Sequence, residues 1–133
     1  MTTARASYSS TASSVPQVRE FARRFLEDVD ADAAERVVLM LSELATNAIK
    51  YSGGDTYEVN IDRRDADVRV EVRDGGGGRP VVRDPEPTDA SGRGLLIVDA
   101  MAQRWGIVEH AGGKTVWFTV PTARQSQPSA PRP

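Results

Sequence analysis

Cysteine is absent from the chain, and histidine occurs once, at position 110. Disulfide bonds and cysteine-based metal sites are therefore excluded, and a single histidine provides no histidine-rich metal cluster. No apolar run in the sequence approaches the roughly 20 residues that a membrane-spanning helix needs. The N-terminus also lacks the charged start and apolar stretch of a secretory signal. We therefore expect a cytoplasmic protein that does not enter a membrane.

An excess of charge of one sign is also lacking, because 17 basic and 19 acidic residues give a formal net charge of -2. This balance indicates no strong preference for nucleic acid or for a membrane surface. With 133 residues, 39% of them hydrophobic, the chain is expected to form one domain with one core. We expect this domain at residues 15–121, after a flexible segment at 1–14 in which Ala4–Tyr8 can add an edge strand. Residues 122–133 contain three prolines and no apolar pattern, which predicts a disordered tail.

Hydrophobic periodicity predicts helices and strands in the order helix, helix, strand, strand, loop, helix, strand, strand. The first helix should begin near Ser14 with Ser13 or Ser14 as its cap, and the second should be capped within Asp30–Asp32. This order predicts an α+β fold, a two-layer sandwich with the helices on one face of a mostly antiparallel sheet. The helices after the first are predicted near residues 33–51 and 94–102, and the strands near 57–61, 68–72, 104–109 and 115–120.

Glu43 and Asn47 are four residues apart, so they share one face of the predicted second helix. A carboxylate and an amide carbonyl in this arrangement can act as ligands or proton acceptors beside a Mg²⁺-nucleotide. For these two residues alone, a solvated helix surface is the simpler interpretation.

Two glycine-containing segments can also approach a ligand. Asp74 ends a predicted strand and precedes Gly75–Gly78, where a carboxylate can accept from a ligand amine and glycines permit close backbone approach. A flexible Asp-Gly turn fits these residues as well. Gly92-Arg93-Gly94 opens the predicted third helix, and free N–H groups and an arginine at a helix start can bind an anion. A mobile loop beside a helix would also account for this G-x-G.

Two segments resemble known nucleotide-binding motifs but do not match them. Gly113-Lys114-Thr115 resembles the end of a P-loop, but the position of the required upstream glycine holds Val108, and the segment leads into a strand. Gly75–Gly78 precedes a proline-rich loop and not a helix, so it fails the dinucleotide fingerprint. His110 has no Ser or Cys partner in a recognisable motif, and we interpret it as structural or solvent-exposed.

The order of the motifs resembles that of the histidine-kinase-like ATPases, the GHKL or Bergerat-fold superfamily. The stretches that carry this resemblance are SELATNAIKYSGG, VEVRDGGGG, SGRGLLIVDAMAQRWG and GGKTVWFTV. Within the superfamily the chain is similar to the anti-sigma factor serine kinases. The resemblance implies a regulator that binds ATP and Mg²⁺ and phosphorylates a serine or threonine of an anti-sigma factor antagonist. It also implies a sigma factor as an alternative partner, and the capacity to form a homodimer.

The resemblance further implies roles for individual residues. Glu43 would be the general base, and Asn47 would help to hold Mg²⁺. Asp74 would accept a hydrogen bond from the adenine amino group, with Gly76 beside the base and Thr115 assisting.

For the phosphates, the resemblance implies contacts with Gly92, Arg93 and Gly94. A lid over ATP would extend from Gly78 to Ser91, because glycines and prolines suit a loop that orders on binding.

The chain departs from the family pattern at two positions. Tyr51 stands where a histidine is common, and Ala90 stands where the kinases tend to have a basic residue. Phosphoryl transfer depends on charge neutralisation, so the alternative function is a nucleotide-binding module that catalyses little and sequesters a partner. Glu43 and Asn47 favour the kinase, since a pure binder has little need of a base. A histidine kinase fragment is disfavoured, because no helical segment with a phosphoacceptor histidine precedes the domain.

Overall fold

The computed structural model of the chain describes residues 2–51, 54–74 and 90–122, with the side chains of 90–94 left out. The predicted order of helices and strands is confirmed, and an additional strand at the N-terminus contains the Ala4–Tyr8 segment. The elements are β1 (Thr2–Ser9), α1 (Ser14–Phe25), α2 (Ala31–Tyr51), β2 (Thr56–Arg63), β3 (Asp67–Asp74), α3 (Ala90–Met101), β4 (Arg104–His110) and β5 (Gly113–Pro121).

The five strands form one sheet in the order β1-β2-β3-β5-β4, and every neighbouring pair is antiparallel. The α+β prediction is therefore confirmed. A tight hairpin joins β2 to β3, in which the Arg64 N–H donates to the Asp67 carbonyl at 2.9 Å. The Arg64 guanidinium also pairs with the Asp67 carboxylate at 2.7 Å. After α3 the chain forms the edge strand β4, and β5 then returns to lie between β3 and β4.

The core lies between the helices and one face of the sheet. Val70 of β3 is paired with Ile61 of β2 and with Phe118 of β5, and all three side chains are fully buried. Because side chains alternate between the faces of a strand, the intervening residues of β3 and β5 lie on the open face. Glu71 and Trp117 are such a pair, and both are partly exposed. α2 packs on α1, α3 and the central strands, which makes it the main helix of the second layer.

The predicted helix caps have different outcomes. Asp30 caps α2, because its Oδ2 accepts the Ala33 N–H at 3.1 Å. The predicted side-chain cap of α1 is wrong. Ser13 has helical dihedral angles and makes no capping hydrogen bond, whereas an N-cap residue normally has extended backbone angles. The Ser14 hydroxyl instead donates to the Thr11 carbonyl at 2.9 Å and contacts the Tyr57 hydroxyl.

Two boundaries differ from prediction. α3 begins at Ala90, four residues before the predicted start at Gly94. Glycine costs a helix interior about 1 kcal/mol relative to alanine, but packing of α3 on α2 outweighs this preference. At the C-terminus Thr122 is buried, and its N–H donates to the Ala66 carbonyl at 3.0 Å. The packed part therefore includes Thr122, and the rest of the predicted tail lies outside the described residues. Within the described ranges, no helix is long and apolar enough to cross a membrane.

Candidate functional site

The topology brings several chain ends to one end of the sheet. β3 ends there at Asp74, and the β4–β5 hairpin turns there between His110 and Gly113. Only Ala102 and Gln103 join α3 to β4, so α3 must run opposite to β4. The Gln103 N–H donates to the Thr119 carbonyl at 2.8 Å, which fixes the last turn of α3 at the far end of the sheet. The first turn of α3 is therefore directed towards the end that contains Asp74.

Asp74 is a buried carboxylate, with only 5% of the residue exposed. Its Oδ1 accepts the Lys114 backbone N–H at 3.2 Å, and its Oδ2 lies 3.4 Å from Lys114 Nζ. A buried charge needs such partners because desolvation is costly. A carboxylate has about four acceptor positions, so two contacts leave capacity for a donor on a ligand. Asp74 can therefore serve as an acceptor for a base amino group.

Lys114, and not Thr115, is the β5 residue that contacts Asp74. Thr115 is paired with Arg73 across β3 and β5, and paired residues lie on the same face of a sheet. Asp74 follows Arg73 in the strand, so its side chain lies on the opposite face from that of Thr115. The Thr115 hydroxyl is instead 3.2 Å from His110 Nε2. The structure therefore does not bring the Thr115 side chain onto Asp74.

His110 has a clearer setting than the sequence suggested. It is partly buried, its Nε2 contacts Thr115, and its Nδ1 is a buried atom without a hydrogen-bond partner among the described residues. This position agrees with the interpretation of His110 as a structural residue. Its contact with Thr115 links β4 to β5 in the hairpin that carries Lys114.

Glu43 and Asn47 are both half-buried on α2. Within the described part of the chain, neither side chain makes a hydrogen bond, whereas nearby Ser42 donates to the Val38 carbonyl at 2.8 Å. α2 ends at Tyr51 shortly before β2, and Tyr57 of β2 is paired with Asp74. The last turns of α2 are therefore directed to the same end of the sheet as Asp74, with polar groups that remain available.

Comparison with known proteins identifies the family. A family model described as the histidine kinase-like ATPase domain matches residues 8–120. The chain belongs to this family. An uncharacterised protein of Streptomyces coelicolor is 33% identical in an alignment of 88 positions, which covers 57% of this chain and 76% of that protein.

Solved structures show the same fold. The RsbU and RsbW domains of a Mycobacterium tuberculosis protein match with a TM-score of 0.70 and 21% identity, over 92% of this chain and 33% of that one. The Acinetobacter baumannii histidine kinase AdeS matches with a TM-score of 0.53 and 12% identity, over 92% and 70% of the two chains. A histidine kinase domain from Erythrobacter litoralis matches with a TM-score of 0.52 and 19% identity, over 85% and 61%. This chain thus spans a third of the first structure, and at these identities the likeness concerns the fold alone.

The remaining motif residues of this ATPase domain lie in or before α3. Gly92 and Arg93 belong to the first turn of α3, but Gly94 is its fifth residue, so the prediction that Gly94 begins the helix is wrong. Only the first turn of a helix has N–H groups without partners inside the helix, so Gly94 is the least suited of the three to bind a phosphate. Gly76, Gly78 and the predicted lid lie outside the described residues, except for Ala90 and Ser91, which belong to α3.

The donor set fits a Mg²⁺-nucleotide. Among the described residues no group of His, Asp and Glu could hold a metal ion alone. Mg²⁺ is usually bound by one or two protein oxygens together with substrate phosphates, and Asn47 offers an available amide oxygen for this purpose. Near Asp74, burial raises the pKa of Tyr57 above its ordinary value, and the hydrogen bond between Tyr57 and Ser14 partly opposes this effect. Tyr57 therefore stays neutral at neutral pH, and Lys114 supplies the positive charge at this carboxylate.

Proposed function

We propose that the protein is an ATP- and Mg²⁺-dependent serine/threonine kinase of the anti-sigma factor type, located in the cytoplasm. Its substrate would be a serine or threonine of an anti-sigma factor antagonist, and it would also sequester a sigma factor. The observation that supports this proposal most is the buried Asp74 carboxylate at a strand end of a histidine kinase-like ATPase domain. The similarity to a structure that contains an RsbW domain is consistent with a regulatory module.

Each polar residue of the site would have a separate task. The Asp74 carboxylate would hold the base, and the first turn of α3, with Gly92 and Arg93, would face the phosphates. The Asn47 amide oxygen would help to bind Mg²⁺, which supplies charge neutralisation for phosphoryl transfer when it is bound. The Glu43 carboxylate would accept the proton of the attacking hydroxyl. That Glu43 makes no hydrogen bond to another described residue supports this role, because a base must be accessible to its substrate.

The alternative function is a catalytically weak module that binds a nucleotide and sequesters a partner. Ala90, the first residue of α3, favours it, because an alanine at this position brings no cation to the phosphates. A homodimer is compatible with either function.

Substitution of Glu43 distinguishes the two functions. A pull-down with and without ATP provides the nucleotide-dependent partner, and radiolabelled phosphate transfer to that partner is then measured. Glu43→Gln keeps the shape but not the basicity, so transfer should fall about 10²–10⁴-fold, with ATP affinity within a few-fold of wild type. Asn47→Ala should reduce both transfer and affinity through the metal. Glu35→Gln is the matched control, because Glu35 is an exposed residue at the other end of the same helix.

The outcomes lead to different conclusions. If the wild-type protein transfers no phosphate to any partner that it binds in an ATP-dependent manner, the kinase proposal fails and sequestration replaces it. If Glu43→Gln transfers phosphate at nearly the wild-type rate, the kinase proposal survives but Glu43 is not the base.

A further inference from the structure

Lys114 contacts both oxygens of the Asp74 carboxylate, and the proposed function does not use it. Its backbone N–H donates to Oδ1 at 3.2 Å, while its ammonium lies 3.4 Å from Oδ2. The Lys114 side chain is 38% exposed and that of Asp74 is 7% exposed. The ammonium therefore lies on the accessible side of a carboxylate that is otherwise enclosed. A ligand that approaches Asp74 from the solvent meets Lys114 at the same place.

This position follows from the β5 register. Val116, Phe118 and Val120 of β5 are buried against the helices, and Lys114 shares their face because side chains alternate along a strand. Asp74 shares the corresponding face of β3 with Val68, Val70 and Val72. The carboxylate and the ammonium are thus placed beside each other by two paired strands and not by a surface loop. The pair therefore has a fixed position at the end of the sheet that contains Asp74.

The chemistry of the pair differs from that of a carboxylate alone. An ionised carboxylate only accepts hydrogen bonds, and a lysine ammonium only donates them. Adenine presents an amino group at position 6, whereas guanine presents an oxygen there. An adenine amino group can donate to a free acceptor position of the carboxylate, but position 6 of adenine offers the ammonium no acceptor. A 6-oxopurine instead offers O6 to the ammonium and its N1–H to the carboxylate, so both groups of the pair are used.

We propose that Lys114 is a specificity-determining residue that extends the base site to 6-oxopurine nucleotides. Inosine or guanine nucleotides would then bind in addition to adenine nucleotides. This inference rests on the proposed nucleotide site at Asp74. Inosine triphosphate is the cleanest probe, because it differs from ATP only in the oxo group at position 6 and the proton at N1. Any difference between the two ligands therefore reports on the contacts of Lys114 and Asp74.

The experiment measures the Kd of ATP and of inosine triphosphate by calorimetry with Mg²⁺, on the full chain. For wild type we expect the two values to agree within about 10-fold. Lys114→Met removes the ammonium and keeps the backbone N–H, so affinity for inosine triphosphate should fall about 10-fold or more, as expected for a lost charge-assisted hydrogen bond. Affinity for ATP should stay nearly unchanged, because position 6 of adenine has no acceptor for the ammonium. Lys114→Arg should retain the wild-type ratio.

Arg104→Met is the matched control, since it removes one positive charge from an exposed position at the far end of β4. It should leave the ratio of the two Kd values unchanged. Circular dichroism and thermal unfolding of each variant establish that the fold is intact, and the wild-type ratio tests the proposal even if Lys114→Met does not fold.

Two results would overturn the inference while the nucleotide site remains. One is a wild-type protein that binds ATP but rejects inosine triphosphate by more than about 100-fold, which is the scale of discrimination by an unpaired polar group. The other is a Lys114→Met variant that changes both affinities by the same factor. A wild-type protein that binds neither nucleotide would refute the proposed function itself.

Discussion

Replacement of Gly106 by alanine tests the packing of the open face of the sheet. Gly106 of β4 is paired with Trp117 of β5. A Cβ atom at position 106 would lie 2.8 Å from Trp117 Nε1 and 3.1 Å from its Cε2 and Cζ2 atoms. The indole is also contacted by Arg69, whose guanidinium carbon is 4.3 Å from the ring centroid. Arg69 in turn pairs with Glu71 at 3.0 Å. The ring therefore cannot shift without changing its contact with Arg69, which is itself held by Glu71.

Two effects of opposite sign decide the outcome. Alanine reduces the backbone freedom of the unfolded chain, which favours the folded variant by roughly 0.5–1 kcal/mol. Overpacking costs about 1–3 kcal/mol, and displacement of the ring would also weaken the contact with Arg69, which is worth about 0.5–1 kcal/mol at an exposed site. We therefore expect Gly106→Ala to lower the free energy of unfolding by about 1–2 kcal/mol.

Urea unfolding followed by circular dichroism measures this change, and an unchanged m-value would show that the substitution leaves the surface exposed on unfolding the same. The control is the same substitution in a Trp117→Leu background, where the indole is absent. There, Gly106→Ala should be neutral or stabilising, because only the gain in backbone entropy remains. An equal loss of stability in both backgrounds, or a stabilised single variant, would refute the steric explanation.

Two further predictions concern the site and the C-terminus. Asp74→Asn should weaken ATP binding by about 1–3 kcal/mol, because an amide offers fewer acceptor positions and directs its NH₂ group towards Lys114. Unchanged calorimetric affinity would remove Asp74 from base recognition, and Asp65→Asn in the exposed β2–β3 turn is the control. Truncation after Thr122 should leave the melting temperature unchanged, because the removed residues have almost no apolar side chains. Truncation after Pro121 should cost about 1 kcal/mol, since it removes the hydrogen bond from Thr122 to Ala66, and equal melting temperatures for the two truncations would contradict this role.

The sequence predicted those parts of the fold in which burial is periodic. β2 and β3 alternate strictly between buried and more exposed residues, and α2 has a continuous apolar stripe, so their type and position follow from pattern alone. β1 is different, because Ala4, Ala6 and Tyr8 alternate with polar residues but two of these three side chains are small, so the pattern is weak. It is a strand because it pairs along its whole length with β2, and this partner is distant in sequence. The start of α3 could not be predicted from the sequence either. Two glycines near its first turn are unfavourable for a helix, and they are helical because α3 packs on the rest of the fold.

The site shows a further limit of motif reasoning, because a motif gives residue identity but not the face of the sheet. Thr115 matched a family position, and Lys114 was set aside with the false P-loop pattern. The alternation of β5 already contained the distinction, since Lys114 shares parity with the buried Val116 and Phe118, and Thr115 shares parity with the partly exposed Trp117. What the sequence could not provide was the pairing of Thr115 with Arg73, because a shift of one residue in register moves every side chain to the other face. With that register fixed, the charge beside Asp74 is a consequence of strand geometry, and Lys114 becomes the residue whose substitution tests base selectivity.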